Sequence, residues 1–189
     1  MVLSFRITTI VLSCLSILAT TGCTPGDNGD TTIEPTNMGA NTFDSNSELG
    51  SRSNPIPLGM NVVVNDWKVL VYSVNRDAFK QVKAADPYSN IPATNERFVL
   101  INVKATYVGE ESGEPSSDLR FKIVGSKGNT FAKSCGYYSD SFNDNGEAFP
   151  GASVTGSLCF IVDADQIFGA TISVQGDYSA DDRKFLSLT

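Results

Sequence analysis

A chain of 189 residues has room for one ordinary domain and terminal appendages, because single cores typically organise about 100–200 residues. Fourteen Lys and Arg against twenty-one Asp and Glu give a formal charge of −7. No basic cluster offsets that sign, so phosphate backbones are repelled and nucleic acid is not an expected partner. Histidine is absent, which removes the residue most often used as general base or transition-metal ligand near neutral pH.

The chain opens with Met1–Phe5 and Arg6, then an apolar run, Ile7–Leu18, which continues into Ala19-Thr20-Thr21-Gly22-Cys23. A helix of that run is too short for a bilayer core of about 30 Å, which needs ~20 residues, but it is the length of a signal-peptide core. The small residues before Cys23 resemble the lipobox of bacterial lipoprotein leaders, although Thr20 stands where an aliphatic residue is usual. The resemblance implies a signal peptide over residues 1–22, lipidation of Cys23, and a membrane partner engaged through that anchor. A secreted chain cleaved near Gly22, or an uncleaved anchor over Val2–Thr21, is the alternative, and each leaves the remainder outside the cell. Cys14, within the leader, reads as a small apolar residue.

Residues 23–54 follow as the anchor cysteine and a disordered linker: Thr, Asn, Asp, Gly, Ser and Pro, with isolated Ile33, Met38, Phe43 and Leu49. So little apolar surface does not offset chain entropy, and the coil would span on the order of 30 Å.

From residue 55 to 189 the pattern changes to short β-rich runs between turn residues, the pattern of an antiparallel sandwich. Pro55–Gly59 suits a sheet edge. Met60–Val64 and Trp67–Val74 read as strands joined at Asn65-Asp66, with Trp67, Val69 and Val71 on one face and Leu70, Tyr72 and Val74 on the other. Ala78–Ala85 could form one helical turn in a crossover. Arg97–Val108 is the clearest strand: Val99, Ile101, Val103, Ala105 and Tyr107 alternate with Asn102, Lys104 and Thr106. Leu119–Val124 and Thr130-Phe131 flank a glycine-containing hairpin loop, and Val154–Val162, Ala170–Val174 and Lys184–Leu188 bring the total to about eight strands. The expected fold class is all-β.

Cys135 and Cys159 are the only thiols of the folded part, and an exported chain meets oxidising conditions, so a disulfide is expected. Closing that loop restricts the unfolded chain by about 3–4 kcal/mol in the entropy model. A redox or metal role would require C-x-x-C spacing or further ligands, which are missing.

Four stretches, NPIPLGMNVVVNDWKVLVYSV, NERFVLINVKATYVGEES, DLRFKIVGSKGNTF and FPGASVTGSLCFIVDADQI, resemble the telokin-like, immunoglobulin-fold domain family of unknown function numbered 4352. The resemblance runs from Asn54 to about Leu188. It implies an immunoglobulin-like β-sandwich outside the cell and carries over no catalytic residues. Trp67 precedes both cysteines, so an antibody-type disulfide is not implied.

Several side-chain groups could carry chemistry. Asp140, Asn143, Asp144, Asn145 and Glu147 place hard oxygen ligands in one loop, which calcium favours, but without EF-hand spacing. Asp163, Asp165, Asp177, Asp181 and Asp182 form a second acidic group. Tyr88, Tyr137, Tyr138, Phe142 and Phe149 are loop aromatics that could contact a sugar or protein. Glu110-Glu111 lacks the facing geometry of a glycosidase pair, and Ser126-Lys127 lies in a turn. The expectation is a non-catalytic lipoprotein on the outer face of the cell membrane that binds an extracellular protein or wall polymer through loops at 78–93 or 137–151, without a cofactor. A calcium-dependent structural or sensing domain is the alternative.

Overall fold

Strand-forming alternation and turn chemistry account for most of the architecture in the computed structural model, which describes residues 48–136, 140–176 and 182–189. The leader, Cys23 and the tether up to residue 47 lie outside the described residues, as do Tyr137, Tyr138, Asp177 and Asp181. In chain order the elements are β1 (Asn61–Val64), β2 (Trp67–Asn75), α1 (Phe79–Ala85), β3 (Glu96–Tyr107), α2 (Pro115–Asp118), β4 (Arg120–Val124), β5 (Thr130–Phe131), β6 (Ser153–Asp163), β7 (Thr171–Gln175) and β8 (Lys184–Ser187).

Two four-stranded sheets result, ordered β1-β2-β3-β6 and β5-β4-β7-β8, with every neighbouring pair antiparallel. The fold is an all-β sandwich. The chain alternates between sheets, so that β6 returns beside β3 and β7 beside β4. Asn65 and Asp66 turn β1 into β2 with φ of 43° and 27°, a left-handed conformation that Asn and Asp tolerate better than other side-chain-bearing residues.

The main core lies between the sheets. Trp67, Val69 and Val71 from β2, Val99, Ile101, Val103, Ala105 and Tyr107 from β3, and Leu158, Phe160 and Val162 from β6 face Ile123, Ile172, Val174 and Leu186 of the second sheet. Trp67 is wholly buried and meets Tyr107 edge to face at 5.1 Å between centroids. Its indole Nε1 donates to Asp118 Oδ2 at 2.9 Å, which satisfies the polar end of a ring that the core otherwise surrounds.

Three features depart from simple alternation. A register shift between Val71 and Ser73 makes Tyr72 the extra residue of a β-bulge, and Val74 then stands opposite Ile101 and packs on the main core instead of sharing the face of Leu70. The outer face of β3 is only half wet: Phe98 and Leu100 are buried with Ile161 beneath α1, which contributes Val82, in a second apolar cluster. Cys135 and Cys159 belong to that cluster and form a disulfide with Cα atoms 5.5 Å apart. The staple therefore fastens residues 133–136 along the free edge of β6, where Cys135 N donates to Cys159 O and Ile161 N to Lys133 O.

The folded body also starts before the expected boundary at residue 54. Phe185 N donates to Gly50 O, Ile56 N to Phe185 O and Ser187 N to Ile56 O, each at 2.8 Å, and Lys184 Nζ reaches Glu48 Oε1 at 3.0 Å. An edge strand presents unpaired amide and carbonyl groups, and Glu48–Ile56 covers those of β8 despite its polar composition.

Candidate functional site

The outer face of the first sheet has two halves. One lies under α1. The other carries a polar trough of about 460 Å³ whose lining comes from β2, β3, β6 and the loop at 140–145.

Each wall has a structural cause. The bulge in β2 turns Tyr72 onto this face, where it is 49% exposed. Asn102 and Ser157 are directly opposite in the β3–β6 register, and Ser157 Oγ donates to Asn102 Oδ1 at 2.6 Å. That bond turns the amide NH2 of Asn102 away from the serine. The far wall is the loop, held on β6 by Ser157 N donating to Asp140 O at 2.7 Å and by a bridge between Ser141 and Ser157. Asn145 locks its far end: Nδ2 donates to Phe142 O at 2.9 Å and Thr155 O at 3.0 Å.

A single 3-10 turn over Phe142–Asp144 sets the depth of this loop. Phe142 is fully buried and packs edge to face on Phe121 at 5.7 Å, so it plugs the gap between the sheets. Gly156 admits it: a Cβ there would lie 2.5 Å from Phe142 Cα and 2.6 Å from Phe142 N. No larger residue fits under that backbone without moving it.

Of the five expected calcium ligands, Asp140, Asp144 and Asn145 line the trough, whereas Asn143 lines a separate cleft and Glu147 accepts from Ser112 Oγ at 2.6 Å. The set does not converge. Among the described residues there is no group of three or more His, Cys, Asp or Glu placed to hold a metal ion. The second acidic group is also dispersed. Asp163 accepts from Gln166, Asp165 pairs with Lys127, and Asp182 accepts from Gly176 N. The same ion pair engages the lysine of Ser126-Lys127.

The loop aromatics divide in two. Tyr88 and Phe149 are 96% and 61% exposed, but Phe142 belongs to the core. Glu110 and Glu111 are exposed in the loop after β3. Asp66, Asp118 and Glu111 act electrostatically on the Tyr107 phenol at that end of the sandwich. Burial, reinforced by those three carboxylates, raises the Tyr107 phenol above its ordinary pKa of 10.0.

A second cavity, of about 370 Å³, opens at the side of the sandwich between β4 and β6, with Leu119, Phe121, Leu158 and Phe160 among its walls. It shares Ser141 and Ser157 with the trough. Sequence reasoning singled out the loop residues of the trough but missed Tyr72 and Asn102, which reach the site through a bulge and a cross-strand register.

No protein-family model matches the chain, and no curated protein does. Solved structures do. The chain is similar to YcdA of Bacillus subtilis, a candidate lipoprotein, at 15% identity and a TM-score of 0.48, over 67% of this chain and 37% of that one. It thus spans little more than a third of YcdA. Similarity to YjhA of Bacillus subtilis is 16% with a TM-score of 0.45, over 71% and 99% of the two chains. For the secreted protein MPT63 of Mycobacterium tuberculosis the figures are 14%, 0.43, 70% and 94%.

Proposed function

We propose that this chain is an exported lipoprotein, anchored through Cys23 to the outer face of the cell membrane, that displays a non-catalytic, immunoglobulin-like domain of the telokin-like kind as a binding module. Its partner is an extracellular protein or wall polymer. The observation that carries the reading is the Cys135–Cys159 disulfide, which is packed into the apolar cluster beneath α1 instead of lying on the surface. A bond of that kind persists outside the cytoplasm and is reduced within it. The leader pattern of residues 1–22 and the lipobox-like residues before Cys23 point to the same compartment. The trough and the neighbouring cleft supply concave surface of the volume, about 300–1,000 Å³, typical of ligand sites.

Metabolic labelling with a radioactive fatty acid tests the anchor. Wild-type protein incorporates label and sediments with membranes, and Cys23→Ala does neither. Unlabelled wild-type protein in the soluble cytosolic fraction would overturn the reading.

A further inference from the structure

We infer that the trough on the outer face of the first sheet is a saccharide site, selective for uncharged, hydroxyl-rich sugars over anionic polymers. The inference rests on the binding-module reading above and names the ligand class of that module.

The chemistry follows from what lines the trough. Tyr72 gives one half-exposed aromatic face, and among the described residues no hydrogen bond engages its hydroxyl. Tyrosine packs flat apolar surface while keeping a polar tip in water. A pyranose ring matches that combination, since the axial C–H bonds of one face are apolar and its rim carries hydroxyls. Around the ring the trough presents hydrogen-bonding groups of both kinds. Asn145 commits its NH2 to two carbonyls, which leaves its Oδ1 as an acceptor, and Asn102 commits its Oδ1 to Ser157, which leaves its NH2 as a donor. The carboxylates of Asp140 and Asp144 add two strong acceptors that no cation among the described residues engages.

Those carboxylates also set the selectivity. In a chain of net charge −7, they repel a phosphate- or uronate-bearing polymer and accept hydrogen bonds from neutral hydroxyls and N-acetyl amides. A peptide anchor is a poorer match, because protein hot spots form in desolvated apolar pockets, and among the described residues Tyr72 is the one large apolar group that lines the trough. The position of Tyr72 at a β-bulge fits a binding role, since bulges re-aim side chains at functional sites.

Isothermal calorimetry on the full-length protein in detergent tests the assignment with chitotetraose, a neutral N-acetylated oligosaccharide, and polygalacturonate, an anionic one. Expected are saturable binding of chitotetraose, a loss of about tenfold in affinity for Tyr72→Ala, retention in Tyr72→Phe, and no heat from polygalacturonate. A melting scan of Tyr72→Ala confirms that the variant folds. Absence of chitotetraose binding, equal binding by Tyr72→Ala, or tighter binding of polygalacturonate overturns the saccharide assignment. None of those results touches the lipoprotein reading, which fails separately if Cys23 takes no label.

Discussion

Replacing Gly156 by alanine adds a single methyl group, yet it is expected to cost the domain more than most surface truncations. The backbone of Gly156 needs no left-handed conformation, so the penalty arises from space alone. The new Cβ would sit 2.5 Å from Phe142 Cα and 2.6 Å from its amide nitrogen, separations that real Cβ atoms do not show. The atoms it meets are backbone, so no side-chain rotation relieves the contact, and the 3-10 turn over Phe142–Asp144 must lift. Lifting it withdraws Phe142, wholly buried against Phe121, from between the sheets. Truncation of a buried Phe costs about 3–5 kcal/mol, and a partial withdrawal corresponds to roughly 2–4 kcal/mol. At about 2–4 °C per kcal/mol for a domain toward this size, Tm should fall by roughly 5–15 °C. Urea unfolding followed by the fluorescence of Trp67, the one tryptophan and a fully buried one, reads the change directly. Chitotetraose binding should weaken with it, since the same loop is a wall of the trough. An unchanged midpoint for Gly156→Ala would refute the claim that the loop is seated by that close approach.

Three further outcomes are expected. The Cys135→Ala/Cys159→Ala double variant frees a loop closed over a sequence separation of 24 and should lose about 3.5 kcal/mol in denaturant titration; a loss under about 1 kcal/mol would contradict the chain-entropy account. Asp118→Ala strands the indole N–H of Trp67 and the amide of Glu114, both of which now donate to Asp118 Oδ2 at 2.9 Å, and should cost about 1–3 kcal/mol by urea titration, against near-neutral behaviour if water replaces the carboxylate. The raised phenol of Tyr107 means that the unfolded chain loses its proton first as pH rises. Its contribution to stability is thus whole below about pH 10 and is lost as pH climbs from there through the folded value. Tyr107→Phe should flatten the alkaline fall in Tm, and an identical fall in both proteins would contradict it.

Much of the sandwich is legible in the sequence because each strand half-buries a regular pattern. Trp67–Val71 and Val99–Tyr107 face the core where alternation puts them. The failures are physical. Nothing in WKVLVYSV marks the inserted residue of a bulge, so Val74 falls on the wrong face once Tyr72 is counted as regular. Phe98 and Leu100 lie in an unbroken apolar run, which signals burial on both faces, but the partner that buries the outer face is a seven-residue helix whose docking is a tertiary event. Phe142 sits among Ser, Asn and Asp and reads as an exposed loop aromatic; what draws it inward is a gap between sheets and a glycine 14 positions later. Glu48–Asn54 is polar enough to pass for tether, and what orders it is backbone pairing with β8 together with tertiary contacts of Glu48 to Lys184 and of Arg52 to the Gly125 carbonyl.

The site was less legible than the fold for the same reason. Asp140, Asp144 and Asn145 are close in sequence and stand out as a group, whereas Tyr72, Asn102 and Thr155 meet them only through strand register. The calcium alternative rests on residues close in sequence, and in the folded loop Asp140, Asp144 and Asn145 line the trough while Asn143 lines the neighbouring cleft and Glu147 accepts from Ser112.

Export is tested most directly by the intact mass of the chain purified from its own membranes under non-reducing conditions. The predicted result is a mature chain beginning at Cys23, heavier than its residues by a diacylglyceryl group or more and lighter by two hydrogens for the Cys135–Cys159 bond. A mass equal to the full 189 residues with every thiol reduced would contradict it.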